Sequence, residues 1–223
     1  MLKLHALAQS RSLRIVWLLE LLGLEYTLCQ HARHPGTLLA PDALKKVHPL
    51  GKAPILQDGD MILAESGAIT DYLIQTYGNG RFMPERDHPD YWQYQRWLHY
   101  AEASLMPLML MSLVFRKIET APMPFLIRPA AKKINEEAQS RFLRPQTTQH
   151  LRHVEQALEG KNWLMGDFIS GADIMMSYPL QAAAARSSLG MYPNIRSYLA
   201  RIEANPAYQQ AVGKAGKPIL QLA

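Results

Sequence analysis

Apolar residues crowd the stretch "SLRIVWLLELLGL", where only Arg14 and Glu20 interrupt before Gly23 closes the run. That pattern predicts a helix buried on more than one face, as when it lies between a sheet and a second layer, with Gly23 as its stop. Ahead of it "LKLHAL" is a short apolar strand, and behind it "EYTLCQH" has strand character. "APDALKKVHP" reads as a short surface helix ended by Pro49. "PILQ" and "MILA" then flank Asp58-Gly59-Asp60, and Asp58-Gly59 is a strong hairpin turn signal. With the helical "GAITDYLIQTY", the predicted order is β-α-β-α-β-β-α.

The pattern changes after Tyr77. "GNGRFMPERDHP" is rich in glycine, proline and charge, and predicts a linker over 79–88 between a domain at 1–78 and another at 89–223. Beyond it the period is helical throughout: "DYWQYQRWLHYAEASLMPLMLMSLVF", then 129–159, 171–189, 194–204 and 206–213. The second domain is therefore expected to be an all-α bundle. In "FISGADIMM", Ser170 and Asp173 have the spacing of a capping box and Ile169 and Ile174 that of a hydrophobic staple, a structural role rather than a catalytic one.

Composition narrows the function classes. The chain has 223 residues, 48% hydrophobic and 19% charged, enough to bury a core in one or two domains. No uninterrupted apolar run reaches the roughly 18 residues of a membrane span, and "MLKLHALAQSR" lacks the outline of a secretory signal, so a cytoplasmic location is expected. The single Cys29 excludes an intrachain disulfide and a dithiol mechanism. His31/His34 and His150/His153 are spaced i,i+3 but lack a third ligand, so no metal is expected. The net charge is +5, and because residues 1–80 carry equal numbers of acidic and basic side chains, the excess lies beyond them. Arg116, Lys117, Arg128, Lys132 and Lys133 surround the apolar "APMPFLIRP". That segment is either solvated surface or a contact for something anionic; nucleic acid is not expected, because no aromatic-interleaved basic motif is present.

The candidate chemistry lies in "HPLGKAPILQDGDMILAESGAI". Pro54 opens a strand, a position that proline tolerates only at a start, an edge or a bulge. A cis Ala53-Pro54 bond would turn the Ala53 backbone outward to pair with a peptide-like ligand. Glu65 and Ser66 stand where a strand gives way to a helix, so free amides and the Ser66 hydroxyl could hold a carboxylate while Glu65 takes an ammonium.

Together these pieces resemble the glutathione S-transferases. The match spans the chain and rests on "SRSLRIVWLLELLGLEY", "HPLGKAPIL", "ESGAI" and "FISGADI", while "WLHYAEASLMPLM" resembles the cleft helix of serine-type fungal and bacterial members. The resemblance implies a thioredoxin-like N-terminal domain followed by the helical domain, glutathione as co-substrate, and a homodimer. It implies that Glu65 and Ser66 meet the γ-glutamyl end and that Ala53, beside Pro54, pairs with the cysteinyl backbone; Lys52, next to Gly51, either holds the glycine carboxylate or is simply solvated. The thiol-activating group in this family follows the first strand, where this chain offers Ser10 and Ser12; Ser10, four residues before Arg14, matches the serine-type spacing. The alternative is that one of the two only caps the next helix.

Lowering a thiol by about 2 units requires roughly 2.7 kcal/mol of preferential thiolate stabilisation. One hydrogen bond to a charged group, about 1.5–3 kcal/mol, plus a helix N-terminus suffices. Tyr100, Met106, Met109 and Phe115 are expected either to wall an electrophile site or to pack the core. Glutathione-dependent peroxidase or dehalogenase activity, and a non-catalytic binding role, remain alternatives on the same scaffold.

Overall fold

A computed structural model describes residues 1–37, 39–186 and 188–218. Its N-terminal half runs β1 (Leu2–Leu7), α1 (Leu13–Leu22), β2 (Tyr26–His31), a 3-10 turn (Asp42–Lys46), β3 (Ile55–Asp58), β4 (Met61–Ala64) and α2 (Ser66–Tyr77). The four strands form one sheet in the order β2-β1-β3-β4, with β1 and β2 parallel and the other pairs antiparallel. The expected short helix at "APDALKKVHP" is thus a single 3-10 turn. Five residues are too few for a stable α-helix, and Leu44 is the only one of the five that is buried.

α1 is buried along nearly its whole length, with Leu13, Ile15, Val16, Trp17, Leu18, Leu19 and Leu22 in the core. It packs against α2 and against two helices of the C-terminal half, α7 (Gly171–Ala184) and α9 (Pro206–Ala215), which is why its sequence has no polar face. Gly23 ends it at φ 69°, and the amides of Gly23 and Leu24 return to the carbonyls of Glu20 and Leu19.

The bundle begins with α3 (Tyr91–Tyr100) and α4 (Met106–Thr120), which are continuous through a π-helical turn at Ala101–Leu105. It returns through α5 (Arg128–Ala138) and α6 (Arg144–Ala157), joined by a second such turn at Gln139–Leu143. Pro107 and Pro145 each follow one of these turns. A proline has no N–H to donate and its ring crowds the carbonyl four residues back, so the widened turn lets the helix continue. After α7 come α8 (Pro193–Ala204) and α9.

The buried helix α7 is the centre of the bundle. The Ser170–Asp173 capping box forms at its start, with Ile174 buried and Ile169 packed against the core. Asp173 is fully buried and accepts from the Leu164 amide at 2.9 Å, the Ser170 amide and hydroxyl at 2.8 Å, and the Tyr198 hydroxyl at 3.0 Å. Burial pushes its carboxyl up, and these donors oppose the push. Asp173→Ala should therefore leave several buried donors unpaired and lower the unfolding free energy by about 2–4 kcal/mol in a urea titration.

Candidate active site

Strand directions bring the candidate residues to one end of the sheet. β1 and β4 are both antiparallel to β3 and so parallel to each other. Each is followed directly by a helix, so α1 and α2 start at the same end. The register pairs His5 with Ile55 and Ile55 with Ala64, which sets Ala53 and Pro54 between the chain leaving β1 and the Glu65–Ser66 step leaving β4. The Ala53-Pro54 bond is cis. Ala53 is half-buried and Pro54 buried, while Lys52 is exposed.

At α2 the amides of Ser66, Gly67 and Ala68 have no intrahelical acceptor, and Ile69 makes the first helical bond, to the Glu65 carbonyl at 2.9 Å. Ser66 is 4% exposed. Neither its hydroxyl nor the exposed Glu65 carboxylate has a hydrogen-bond partner among the described residues. Glu65 has φ 74°, a left-handed conformation that costs a non-glycine residue about 1–3 kcal/mol and recurs at ligand sites. The amides, the helix dipole and a free hydroxyl together favour an anion; the free carboxylate beside them favours a cation.

Ser10 and Ser12 are both buried, and neither hydroxyl caps α1. The first amides of that helix go to the backbone carbonyls of Ser10, Arg11 and Ser12. The Ser10 hydroxyl turns back to the strand, donating to the Leu7 carbonyl at 2.8 Å or to Ser12 Oγ at 3.0 Å, and it accepts from the Ser12 amide at 3.1 Å. Ser12 Oγ in turn accepts from the Leu7 amide at 3.4 Å. The alternative of a simple cap is corrected: the positive φ of Gln9, 53°, reverses the chain, so both side chains clasp the end of β1.

Sequence reasoning missed the strongest electrostatic feature. Arg14, noted only as an interruption of an apolar helix, is 2% exposed. It donates to the Met175 carbonyl at 2.9 Å and forms a short ion pair with Glu102, and its Nε has no partner among the described residues. Arg11 holds the other Glu102 oxygen at 2.8 Å, and both guanidinium carbons lie 5.7 Å from the Tyr178 ring centroid. Burial alone would raise the Glu102 carboxyl, but Arg14 and Arg11 together hold it below the usual carboxylate range. Burial pulls Arg14 down from its ordinary value while Glu102 opposes it. Two guanidinium groups on one carboxylate leave the cluster with a net positive charge. The available signal was the arginine itself: a cation in a helix expected to be buried requires a partner.

The structure brings the four expected wall residues together only loosely. Met106 and Met109 are 7% and 3% exposed and belong to the core, the packing alternative. Tyr100 makes a short hydrogen bond to His150 Nδ1, and Phe115 is half-buried against the core. His31 pairs with His5 at 3.1 Å and His153 with Arg96 at 3.0 Å. Among the described residues, no three His, Cys, Asp or Glu side chains group to hold a metal. Two concavities lie elsewhere, one of about 590 Å³ around Phe82, Met83, Phe168 and Ile169 and one of about 750 Å³ along α6 at Arg144 and Arg152.

Known proteins are similar to this chain along its length. The model of the glutathione S-transferase N-terminal domain matches residues 1–75, and that of the C-terminal domain matches 119–210. Glutathione S-transferase 1 of Saccharomyces cerevisiae is 33% identical over 223 residues, which cover 96% of this chain and 95% of the relative. Glutathione S-transferase 3 of Schizosaccharomyces pombe is 33% identical over 224 residues, 100% of this chain and 91% of the relative. A glutathione S-transferase structure from Actinobacillus pleuropneumoniae superposes with TM-score 0.84 at 40% identity, covering 100% of this chain and 97% of that one. A sphingomonad glutathione S-transferase complexed with glutathione shares the fold, with TM-score 0.71 at 21% identity, covering 96% and 98%.

The Arg11–Glu102–Arg14 cluster carries a prediction with a definite sign. The folded Glu102 carboxyl lies below its unfolded value, so its stabilisation is complete above pH ~4.3 and is lost as pH falls through the lower folded value. Glu102→Gln, which strands the buried Arg14, should cost about 2–4 kcal/mol at pH 7 by denaturant unfolding. The gap to the unmodified protein should narrow below pH 4.

Proposed function

The chain belongs to the glutathione S-transferase family, and on that premise we propose that it adds the glutathione thiolate to electrophilic small molecules, a detoxifying reaction in the cytoplasm. One observation carries the reading: Ser10, Ala53-Pro54 and Glu65–Ser66 meet at a single end of the sheet where two helices begin. In this reading the γ-glutamyl carboxylate takes the Ser66 hydroxyl and the first amides of α2, and Glu65 takes its ammonium. Ala53 pairs with the cysteinyl backbone and Lys52 reaches the glycine carboxylate.

The sulfur then lies at the start of α1. Ser10 donates a hydrogen bond to it, and the positive helix end and the surplus charge of the Arg11–Glu102–Arg14 cluster favour thiolate over thiol. No proton-accepting partner is required of Ser10, because its hydroxyl donates and does not attack. The electrophile approaches from the bundle side, where Tyr100 and Phe115 share one continuous helix and Phe115 keeps an open flank, with Met106 and Met109 packed in the core behind them. A homodimer is supported by Leu110, Val114 and Ile118, exposed by 51, 47 and 43% at a spacing of four residues along α4.

Two measurements test the assignments. Ser66→Ala should weaken glutathione binding roughly tenfold by calorimetry, the loss of one charge-assisted bond, while stability changes by less than about 0.5 kcal/mol; unchanged affinity removes Ser66 from the site. Ser10→Ala should keep that affinity yet move the pH–rate profile for conjugation up by about 1–2 units, with Ser12→Ala leaving it in place. A shift with Ser12→Ala alone reverses the two serines, and a shift with neither assigns the thiolate to the helix end and the arginines.

A further inference from the structure

The turn between α4 and α5 exposes consecutive large apolar residues, Phe125, Leu126 and Ile127, by 74, 76 and 54%. Its backbone is closed by the Ile127 amide on the Pro124 carbonyl at 3.0 Å, so the trio stands on an ordered turn at the end of a helical hairpin. Soluble proteins expose such residues singly, and a contiguous exposed group marks a contact surface. Around it Arg116, Lys117, Arg128, Lys132 and Lys133 are all exposed. Against them, residues 116–133 hold one acidic side chain, Glu119, which is already bonded by Asn135, so the formal charge of the tip is +4. Lys132 also shares an exposed ion pair with Glu136 at 3.7 Å.

We propose that this tip docks on a membrane surface rich in anionic lipid. Phe125, Leu126 and Ile127 enter the boundary between headgroups and acyl chains, and the five basic side chains meet the lipid phosphates and carboxylates. The combination selects the occupant. A symmetric contact of this trio with its copy would set Arg128, Lys132 and Lys133 against their equivalents, and nucleic acid would use the charges while leaving the apolar trio in water. Attachment is to the surface only. The helix Tyr91–Thr120 is by length and composition apolar enough to cross a bilayer, but it packs on α7 and carries Glu102 within the arginine cluster.

The test uses the full chain in sedimentation with phosphatidylcholine vesicles, with and without about one third phosphatidylserine. Binding is expected only with the anionic lipid, and it should weaken as salt rises above about 0.15 M. The combined Phe125→Ser, Leu126→Ser, Ile127→Ser variant should bind at least ~10-fold more weakly, by loss of buried apolar area. Lys132→Gln and Lys133→Gln should each cost about fivefold. Far-UV circular dichroism and the size-exclusion volume should stay those of the unmodified protein. Equal partition of the unmodified chain and the apolar variant overturns the proposal. So does a shift of that variant to a smaller species, which makes the tip a contact between copies, or binding to soluble polyglutamate with none to vesicles, which makes it a site for an acidic protein.

Discussion

The burial of Arg14 is the constraint on which the arrangement of the two halves rests. Removing a guanidinium from water costs several kcal/mol unless it is paired and hydrogen-bonded. Here the pairing comes entirely from the bundle, through Glu102 in the π turn after α3 and the Met175 carbonyl within α7. Both bonds form only when α1 lies on the bundle in one orientation. Because Arg11 draws on the same carboxylate, the cluster is undercompensated, and its residual charge falls at the start of α1.

The position of Glu102 has its own local cause. Pro107 cannot continue a regular α-helix without displacing the carbonyl four residues earlier, and the chain widens into the Ala101–Leu105 turn that carries Glu102. A second irregularity, at Gln139–Leu143, precedes Pro145 for the same reason. In the sheet, strain gathers at the matching place: Gln9 and Glu65, neither a glycine, adopt φ of 53° and 74° where β1 and β4 give way to α1 and α2. Those reversals aim two helix N-termini at one end of the sheet, where positive partial charge and unpaired amides accumulate.

Residues near in the chain and residues far apart were legible to different degrees. Gly23 as the end of α1, Asp58-Gly59 as the β3–β4 turn and Ser170–Asp173 as the start of α7 act within a few residues, so turn and capping chemistry identifies them. The family motifs between Pro49 and Ile69 are legible for the same reason. A serine side-chain cap on α1 did not form: a single left-handed residue, Gln9, precedes the pair, whose hydroxyls bond each other and β1, and no residue preference marks a glutamine for that conformation. The short surface helix expected at "APDALKKVHP" shrinks to a 3-10 turn over Asp42–Lys46 because only Leu44 there reaches the core.

The sequence alone determined the four strands, α1 and α2, the change to an all-helical period past Tyr77, and the glutathione S-transferase signature. It did so because hydrophobic period, turn residues and short motifs are properties of adjacent positions. Tertiary structure alone decided that Arg14 answers Glu102 across 88 positions, that Met106 and Met109 turn into the core, and that Phe125, Leu126 and Ile127 are left in water. An apolar residue on a helix reads the same whether its face meets a neighbour or solvent, and a charge in an apolar run announces only that some partner exists. Which face and which partner follow from how whole elements pack, and that is set by the shape of the assembled core.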